Sequence, residues 1–207
     1  SFLNSISQSG VVLLMALYFQ AVLGVSPVVA GVMVLPVAIA ALIASLSSGP
    51  LQRRISASTL TVTGNVVTVV ALVVLFAAAT GRLHVAVLLV GLALAGIGSG
   101  LFMPSNATAL MRDLPDERLG IANAMRLLLQ SSGFVVGTAV ILSVVTSTLP
   151  IELRRFVFAG TISEIGESAV DQLLNGYGRT FVAMIAVAVL TVVTSIVARS
   201  SRSADQR

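Results

Sequence analysis

The sequence predicts an all-α membrane protein built as a bundle of six transmembrane helices. Its charged side chains, twelve basic and eight acidic, lie in short clusters. Between the clusters run uncharged stretches at 1–52, 55–81, 83–111, 127–151 and 180–198. Crossing a bilayer takes about 20 apolar residues, so each stretch can span once and the first can span twice. Charged residues make up 10% of the chain, against roughly 25% in soluble domains.

Composition narrows the function further. A sequence pI near 11 would suggest nucleic-acid binding in a soluble protein, but the arginines are scattered among the predicted loops, so we expect no nucleic-acid partner. Cysteine is absent and histidine occurs once, which predicts no disulfide, no metal site and no cofactor. The chain opens with Ser1 and lacks a basic leader segment, so 1–23 is not a signal peptide and we expect a fragment or processed chain.

Turn and breaker residues divide the chain into its elements. The first helix covers about 2–23 and ends at Gly24, after which Ser26 can cap the next helix and Pro27 suits its first position. The remaining helices are predicted at about 27–48, 59–80, 84–111, 117–149 and 179–199. A long outer loop, 150–178, precedes the last helix. These elements form one six-helix transmembrane unit over residues 1–207.

The arginines predict how the bundle is oriented. With a cytoplasmic N-terminus, seven would lie inside: Arg53, Arg54, Arg112, Arg118, Arg199, Arg202 and Arg207. Four would lie outside: Arg82, Arg154, Arg155 and Arg179. Cytoplasmic loops are enriched in basic residues, so inside termini are favoured. In the outer loop, Ile165, Ala169, Val170, Leu173 and Leu174 recur at helical spacing. This predicts an amphipathic helix on the outer membrane surface, as a connector or as a substrate lid.

Small residues at four-residue spacing predict close helix contacts. Gly96 and Gly100 share one helix face, as do Gly133 and Gly137, and such pairs let two helices approach closely in lipid. They can serve packing alone, or also give smooth surfaces on which helices rock during transport. Pro36 interrupts the hydrogen bonding of the second helix, either as a passive kink or as one that shapes a cavity wall.

One face of the fifth helix is polar or small over most of its length. Ala122, Arg126, Gln130, Gly133 and Gly137 follow one another by steps of three or four residues. A charge within a span usually faces protein or water. The stripe therefore predicts a cavity wall in which Arg126 acts as a gate latch or an anion contact. The alternative is an arginine that snorkels to the cytoplasmic interface.

Amides on other helices extend this prediction. Asn4 and Gln8 lie on one face of the first helix, either as hydrogen-bonding contacts between helices or as substrate contacts. Asn106 can contact a substrate or cap the bend after Pro104. Asn65 is expected to serve packing, and Tyr18 to anchor the outer interface.

Three segments carry a resemblance to a known family. The link 49–56 resembles the cytoplasmic signature loop of the major facilitator superfamily, with Gly49, Leu51 and Arg54 matching its pattern. The glycine-rich run from Gly91 to Pro104 looks like the corresponding helix of the drug-exporting branch. The segment 114–124, Leu-Pro-Asp-Glu-Arg-Leu-Gly-Ile-Ala-Asn-Ala, resembles the opening of that branch's next helix. However, Arg53 occupies the position of the loop's aspartate, which pairs with cations in the family.

The resemblance implies a role and partners for the chain. It identifies residues 1–207 as the C-terminal half of a 14-helix drug:proton antiporter in the bacterial plasma membrane. The partners it implies are the lipid bilayer, an N-terminal half, protons and an amphipathic or cationic organic substrate. No acidic residue lies inside a predicted span, so the coupling carboxylate would lie upstream. Uptake of a metabolite by the same architecture, and a non-transporting six-helix interaction protein, are the alternatives.

Catalysis is not expected. Ser99 and His84 are the best candidates for a nucleophile and its base, yet on one helix they are fifteen residues apart. At 1.5 Å per residue this separates them by about 22 Å, and a nucleophile and base must approach to roughly 3 Å. The sequence therefore favours transport over an enzymatic function.

Overall fold

The computed structural model describes residues 2–81, 83–112, 114–147 and 167–205. Within these ranges it contains six helices and no strand. In chain order they are α1 (Phe2–Leu23), α2 (Pro27–Gln52), α3 (Ala57–Thr80), α4 (Val85–Met111), α5 (Asp116–Ser147) and α6 (Glu167–Asp205). Each contains a segment long and apolar enough to cross a membrane. The predicted class, an all-α membrane protein with six spans, is confirmed.

The turn between α1 and α2 depends on three consecutive local preferences. Gly24 has φ of 65°, a left-handed conformation that a residue without Cβ adopts at no steric cost. The Ser26 hydroxyl accepts a hydrogen bond from the backbone N–H of Val29 at 3.4 Å. Pro27 occupies the first helical position, where its missing N–H would have no partner inside the helix. These residues take the roles that the sequence predicts.

The predicted end of the second helix at Ser48 is wrong. α2 continues through Gly49 and Pro50 to Gln52. A proline disfavours helical geometry in the residue before it, partly by a clash with that residue's Cβ, and Gly49 has no Cβ. Pro50 also lies in the last turn, where only one hydrogen bond is lost, and the N–H of Ile55 still bonds to the carbonyl of Leu51 at 2.9 Å.

Other boundaries differ by one or two residues. α3 begins at Ala57 rather than Thr59, because Ser56 caps it by accepting a hydrogen bond from the N–H of Thr59 at 3.2 Å. α4 begins at Val85, with His84 at the cap position. α5 begins at Asp116, and its predicted last residues, 148–149, lie outside the described ranges.

The last helix begins well before its predicted start at Arg179. Within the predicted outer loop 150–178, the sequence predicts an amphipathic helix at about 165–174, and the chain is helical there from Glu167 onward. The predicted break between that helix and the last span is wrong, because α6 runs continuously to Asp205. Residues 148–166 lie outside the described ranges. The glycines near Tyr177 suggest a break, but Tyr177 and Phe181 are both fully buried. Burial of these two aromatic side chains holds α6 against the bundle around 177–181.

Glycines mark the tightest helix contacts in the bundle. α4 lies between α2 and α3, and its Gly96 and Gly100 lie against the backbone carbonyls of Val37 and Ala41 in α2. A Cβ added to Gly133 or Gly137 would lie 2.5 Å from the Phe2 carbonyl oxygen or 2.7 Å from the Ile6 Cα, respectively. Gly91 packs instead against the side chain of Leu75 in α3. The paired glycines thus sit where backbones of neighbouring helices nearly touch.

Two polar residues show how α6 joins the bundle. The predicted interfacial anchor Tyr18 is only 3% exposed. Its hydroxyl donates to the Ala79 carbonyl oxygen at 3.3 Å, and its ring packs edge-on to Tyr177 with 5.6 Å between centroids. That prediction was wrong because the early start of α6 covers this part of α1. Asn65 has the packing role predicted for it, since its Nδ2 donates to the Ser195 Oγ at 2.9 Å.

Candidate functional site

The five polar residues proposed from the sequence as cavity candidates line a single cleft. The cleft is partly open to solvent, and its enclosed volume is about 10 Å³, the room of one water-sized group. It is formed by the beginnings of α1 and α5 and the final turns of α4. Its lining residues are Asn4, Ser5, Gln8, Phe102, Met103, Asn106, Arg126 and Gln130. Polar groups from three separate helices therefore converge on one space in an otherwise apolar bundle.

Helix periodicity and a close backbone contact together build this cleft. Asn4 and Gln8 are four residues apart on α1, as are Arg126 and Gln130 on α5, so each pair projects from one face. Gly133, one turn beyond Gln130, brings the α5 backbone against the first turn of α1. The polar-and-small stripe of α5 thus serves two purposes. Its first part lines the cleft, and its glycines pack against α1.

Among the described residues that line the cleft, Arg126 carries the only charge. Its Nε and Nη2 atoms donate to the Asn123 Oδ1 at 3.3 and 3.2 Å, and its Nη1 donates to the Gln130 Oε1 at 3.4 Å. Both partners are neutral amides. The nearest acidic residues described on its helix, Asp116 and Glu117, lie nine or ten residues earlier, about 14 Å along the axis. Among the described side chains, no carboxylate forms an ion pair with Arg126.

Placing the positive charge of Arg126 inside a span without an acidic partner costs free energy. A charged side chain placed within a membrane span costs at least ~2.5 kcal/mol unless water or an opposite charge compensates it. Arg126 is half-buried and opens onto the cleft. Its bonds reach in both directions along α5, to Asn123 and to Gln130. The guanidinium is therefore held at the cleft wall by the amides on either side of it.

The amides of α1 face the cleft without partners of their own. Asn4 is 6% exposed and Gln8 is half-buried. In the part of the chain that the structure describes, neither side chain makes a hydrogen bond to another protein group. Buried amides are normally hydrogen-bonded. Asn106, in contrast, has a protein partner.

Sequence reasoning missed the apolar part of the lining. Phe102 is almost fully buried and Met103 is exposed, and both come directly before Pro104 on α4. Phe102 precedes Asn106 by four residues, so the helical face that carries Asn106 would have revealed it. An aromatic ring and a flexible thioether beside polar groups suit an amphipathic ligand.

The residues predicted for a gating loop lie elsewhere. Gly49 and Leu51 belong to the last turn of α2, and Arg53 and Arg54 follow it at the exposed surface. Neither arginine forms an ion pair with a described side chain. Pro36, in the middle of α2, is half-buried and is not part of the cleft lining.

The serine weighed as a nucleophile is engaged in packing. Ser99 is 4% exposed, and its hydroxyl donates to the Gly96 carbonyl oxygen at 2.9 Å. His84 is exposed and lies at the cap position before the first residue of α4. Their separation along one helix agrees with the sequence argument against a catalytic pair.

Comparison with known sequences identifies the family. Residues 1–163 match the family described as Major Facilitator Superfamily. The chain belongs to the major facilitator superfamily. It is a multi-pass membrane protein whose described spans correspond to half of such a transporter.

Two relatives with assigned functions are similar to the chain. The multidrug efflux pump LfrA of Mycolicibacterium smegmatis is 30% identical over 149 residues, which cover 71% of this chain and 29% of LfrA. The multidrug resistance protein Stp of Mycobacterium tuberculosis is 33% identical over 145 residues, which cover 70% of this chain and 27% of Stp. The chain thus spans less than a third of each relative's length.

Proposed function

We propose that the chain forms the cleft-bearing half of a secondary transporter that expels amphipathic or cationic organic compounds in exchange for protons. The observation that carries this proposal is the cleft itself, in which amides, an arginine and two apolar side chains converge between α1, α4 and α5. The similarity to two proteins named for multidrug efflux and resistance supports export as the direction. Their mycobacterial origin supports location in a bacterial plasma membrane.

The geometry supports alternating access by relative movement of helices. In transporters of this kind the substrate site lies near the membrane midplane between two repeats. The cleft lies at one side of the α1–α5 pair, whose contact is formed by Gly133 and Gly137. Glycine contacts present smooth backbone surfaces, which can slide or rock with little rearrangement of side chains. A movement of α5 against α1 would open or narrow the cleft.

A second half would complete the site. Among the described spans, those of α2 and α5 are the least buried, and α5 carries both the cleft residues and exposed apolar side chains such as Ile121 and Leu128. We assign the remaining wall of the cavity to residues upstream of Ser1. Proton coupling requires a titratable group in the pathway, and the cleft lining contains no carboxylate or histidine. The coupling carboxylate is accordingly assigned to that upstream half.

Replacing Arg126 with alanine in the complete protein tests the role of the cleft. We expect efflux of an amphipathic dye that carries an acidic group to fall by roughly tenfold or more, because a charge-assisted contact in the pathway is lost. Protein abundance in the membrane should stay unchanged. The control is Arg118→Ala, which removes an exposed arginine near the start of the same helix. Normal efflux by Arg126→Ala at normal abundance would contradict the proposal.

A further inference from the structure

The positive charge of Arg126 has no negatively charged partner among the described residues of the cleft. Its three hydrogen bonds go to neutral amide oxygens at 3.2 to 3.4 Å, which is long for bonds donated by a charged group. The guanidinium has five N–H donors in a planar fork, and these bonds leave part of that fork available. No described carboxylate is close enough to neutralise it. The site therefore presents a fixed positive charge to whatever enters the cleft.

A second observation comes from α1. Asn4 is more than nine-tenths buried, lines the cleft and makes no hydrogen bond to the protein within the described part of the chain. Its amide, like that of Gln8, can donate hydrogen bonds into the same space as the arginine. A cluster of donors without an acidic acceptor is the chemistry that recognises an oxyanion. Among common organic oxyanions, a carboxylate matches the planar guanidinium with two parallel hydrogen bonds.

We propose that Arg126, with the Asn4 amide, is a subsite for an acidic group, most simply a carboxylate, on the transported compound. The inference rests on the proposed function, because it assumes that the cleft admits substrate. Phe102 and Met103 would contact the apolar part of the same molecule. The transported compound can also carry a basic group elsewhere, because Arg126 on α5 and Asn4 on α1 bind only its acidic end.

The same oxyanion could instead be a carboxylate of the upstream half, which would make Arg126 a gate latch. A carboxylate of the substrate and a carboxylate of the upstream half give Arg126 different effects on transport. A substrate subsite distinguishes an acid from its neutral analogue, whereas a latch affects every cargo equally. The lining of the cleft favours the substrate, because the arginine shares it with apolar side chains, Phe102 and Met103, that a closed ion pair would not need.

The test uses the complete protein in proteoliposomes with an imposed proton gradient. The probes are a pyrenyl alkyl carboxylic acid, the matching primary amide and the matching primary amine. We expect the wild type to transport the acid about tenfold faster than the amide at equal low concentration, as expected for charge-assisted recognition. Arg126→Gln should remove this preference and leave transport of the amide within about twofold. Arg126→Lys should retain part of it, since the charge stays in place.

The outcomes separate the possible failures. Arg118→Gln, which removes an exposed charge near the start of the same helix, should leave the preference intact. Equal transport of acid and amide by the wild type would overturn the subsite, even if every variant failed to fold. An equal loss of both probes in Arg126→Gln would also overturn it and assign the arginine to the gate. Transport of the amine alone would refute the acidic subsite but leave the proposed export function in place. Transport of none of the three probes would contradict both the subsite and the proposed export function.

Discussion

Replacing Gly98 with alanine should destabilise the bundle at the contact between α3 and α4. Gly98 faces Gly64 across this contact, the most extensive between any two of the described helices. A Cβ on Gly98 would lie 2.8 Å from the Gly64 carbonyl oxygen and 2.9 Å from the Thr68 amide nitrogen. Both are backbone atoms, so no side chain can rotate away to accept the new methyl group.

The expected magnitude follows from the separation the methyl group requires. Ordinary contact needs more than 3.4 Å, so the two helices must move apart along a tightly packed seam. Overpacking of this kind costs typically 1–3 kcal/mol, and a backbone clash belongs at the upper end. Alanine recovers up to ~1 kcal/mol of helix propensity. We therefore expect a net loss of about 2 kcal/mol, which lowers the melting temperature of the complete protein by a few degrees, since the shift per kcal/mol shrinks with protein size.

Thermal melting of the purified complete protein in one detergent measures this effect. The matched control is Gly31→Ala, since a Cβ added there meets no atom within 4 Å. Gly31 is also exposed in a helix, so the substitution tests helix propensity without a clash. We expect its melting temperature to equal or exceed that of the wild type. A Gly98→Ala protein as stable as Gly31→Ala would refute the packing argument.

Four further outcomes follow from individual contacts. Tyr177→Phe should leave the melting temperature unchanged or raise it, because its buried hydroxyl has no partner among the described residues. Tyr18→Phe should lower stability by about 1 kcal/mol, since that hydroxyl bonds to the Ala79 carbonyl; a larger loss from Tyr177→Phe would contradict the geometry. Ser195→Ala should cost about 0.6 kcal/mol by removing the acceptor of the Asn65 amide, and a simultaneous Asn65→Ala change should show non-additive effects on melting. Arg126→Ala should depress efflux without affecting abundance, as proposed above.

The number of spans could be predicted from the sequence because it depends on simple solvation. A bilayer excludes charge, so the uncharged runs mark the segments that cross it. The turn at Gly24, Ser26 and Pro27 was equally predictable, since each residue meets a local requirement for backbone geometry. The five cleft residues came together for a similar reason. Polar groups inside spans face protein or water rather than lipid.

Elements that depend on tertiary contacts were predicted poorly. α6 continues through Tyr177, which looks like a loop residue between two glycines until Tyr18 of α1 is placed against its ring. The extension of α2 through Pro50 depends on the glycine before it, a combination that also occurs in turns. Phe102 and Met103 were missed because apolar residues in a span are equally common facing lipid. Tyr177, Phe102 and Met103 could be assigned only from their contacts with other helices. The end of α2 depends on an uncommon pair, a glycine directly before a proline inside a helix.

The central claim, that the cleft is an aqueous part of a transport pathway, is tested most directly by thiol labelling at Gln130. The chain has no cysteine, so Gln130→Cys can be introduced into a complete protein made cysteine-free. Leu128→Cys is the control, because Leu128 is exposed in the isolated chain but lies on another face of α5. We expect a membrane-impermeant thiol reagent to label position 130, substrate to slow that labelling, and position 128 to remain unlabelled. An unreactive position 130, or equal labelling at both positions without protection by substrate, would contradict the account.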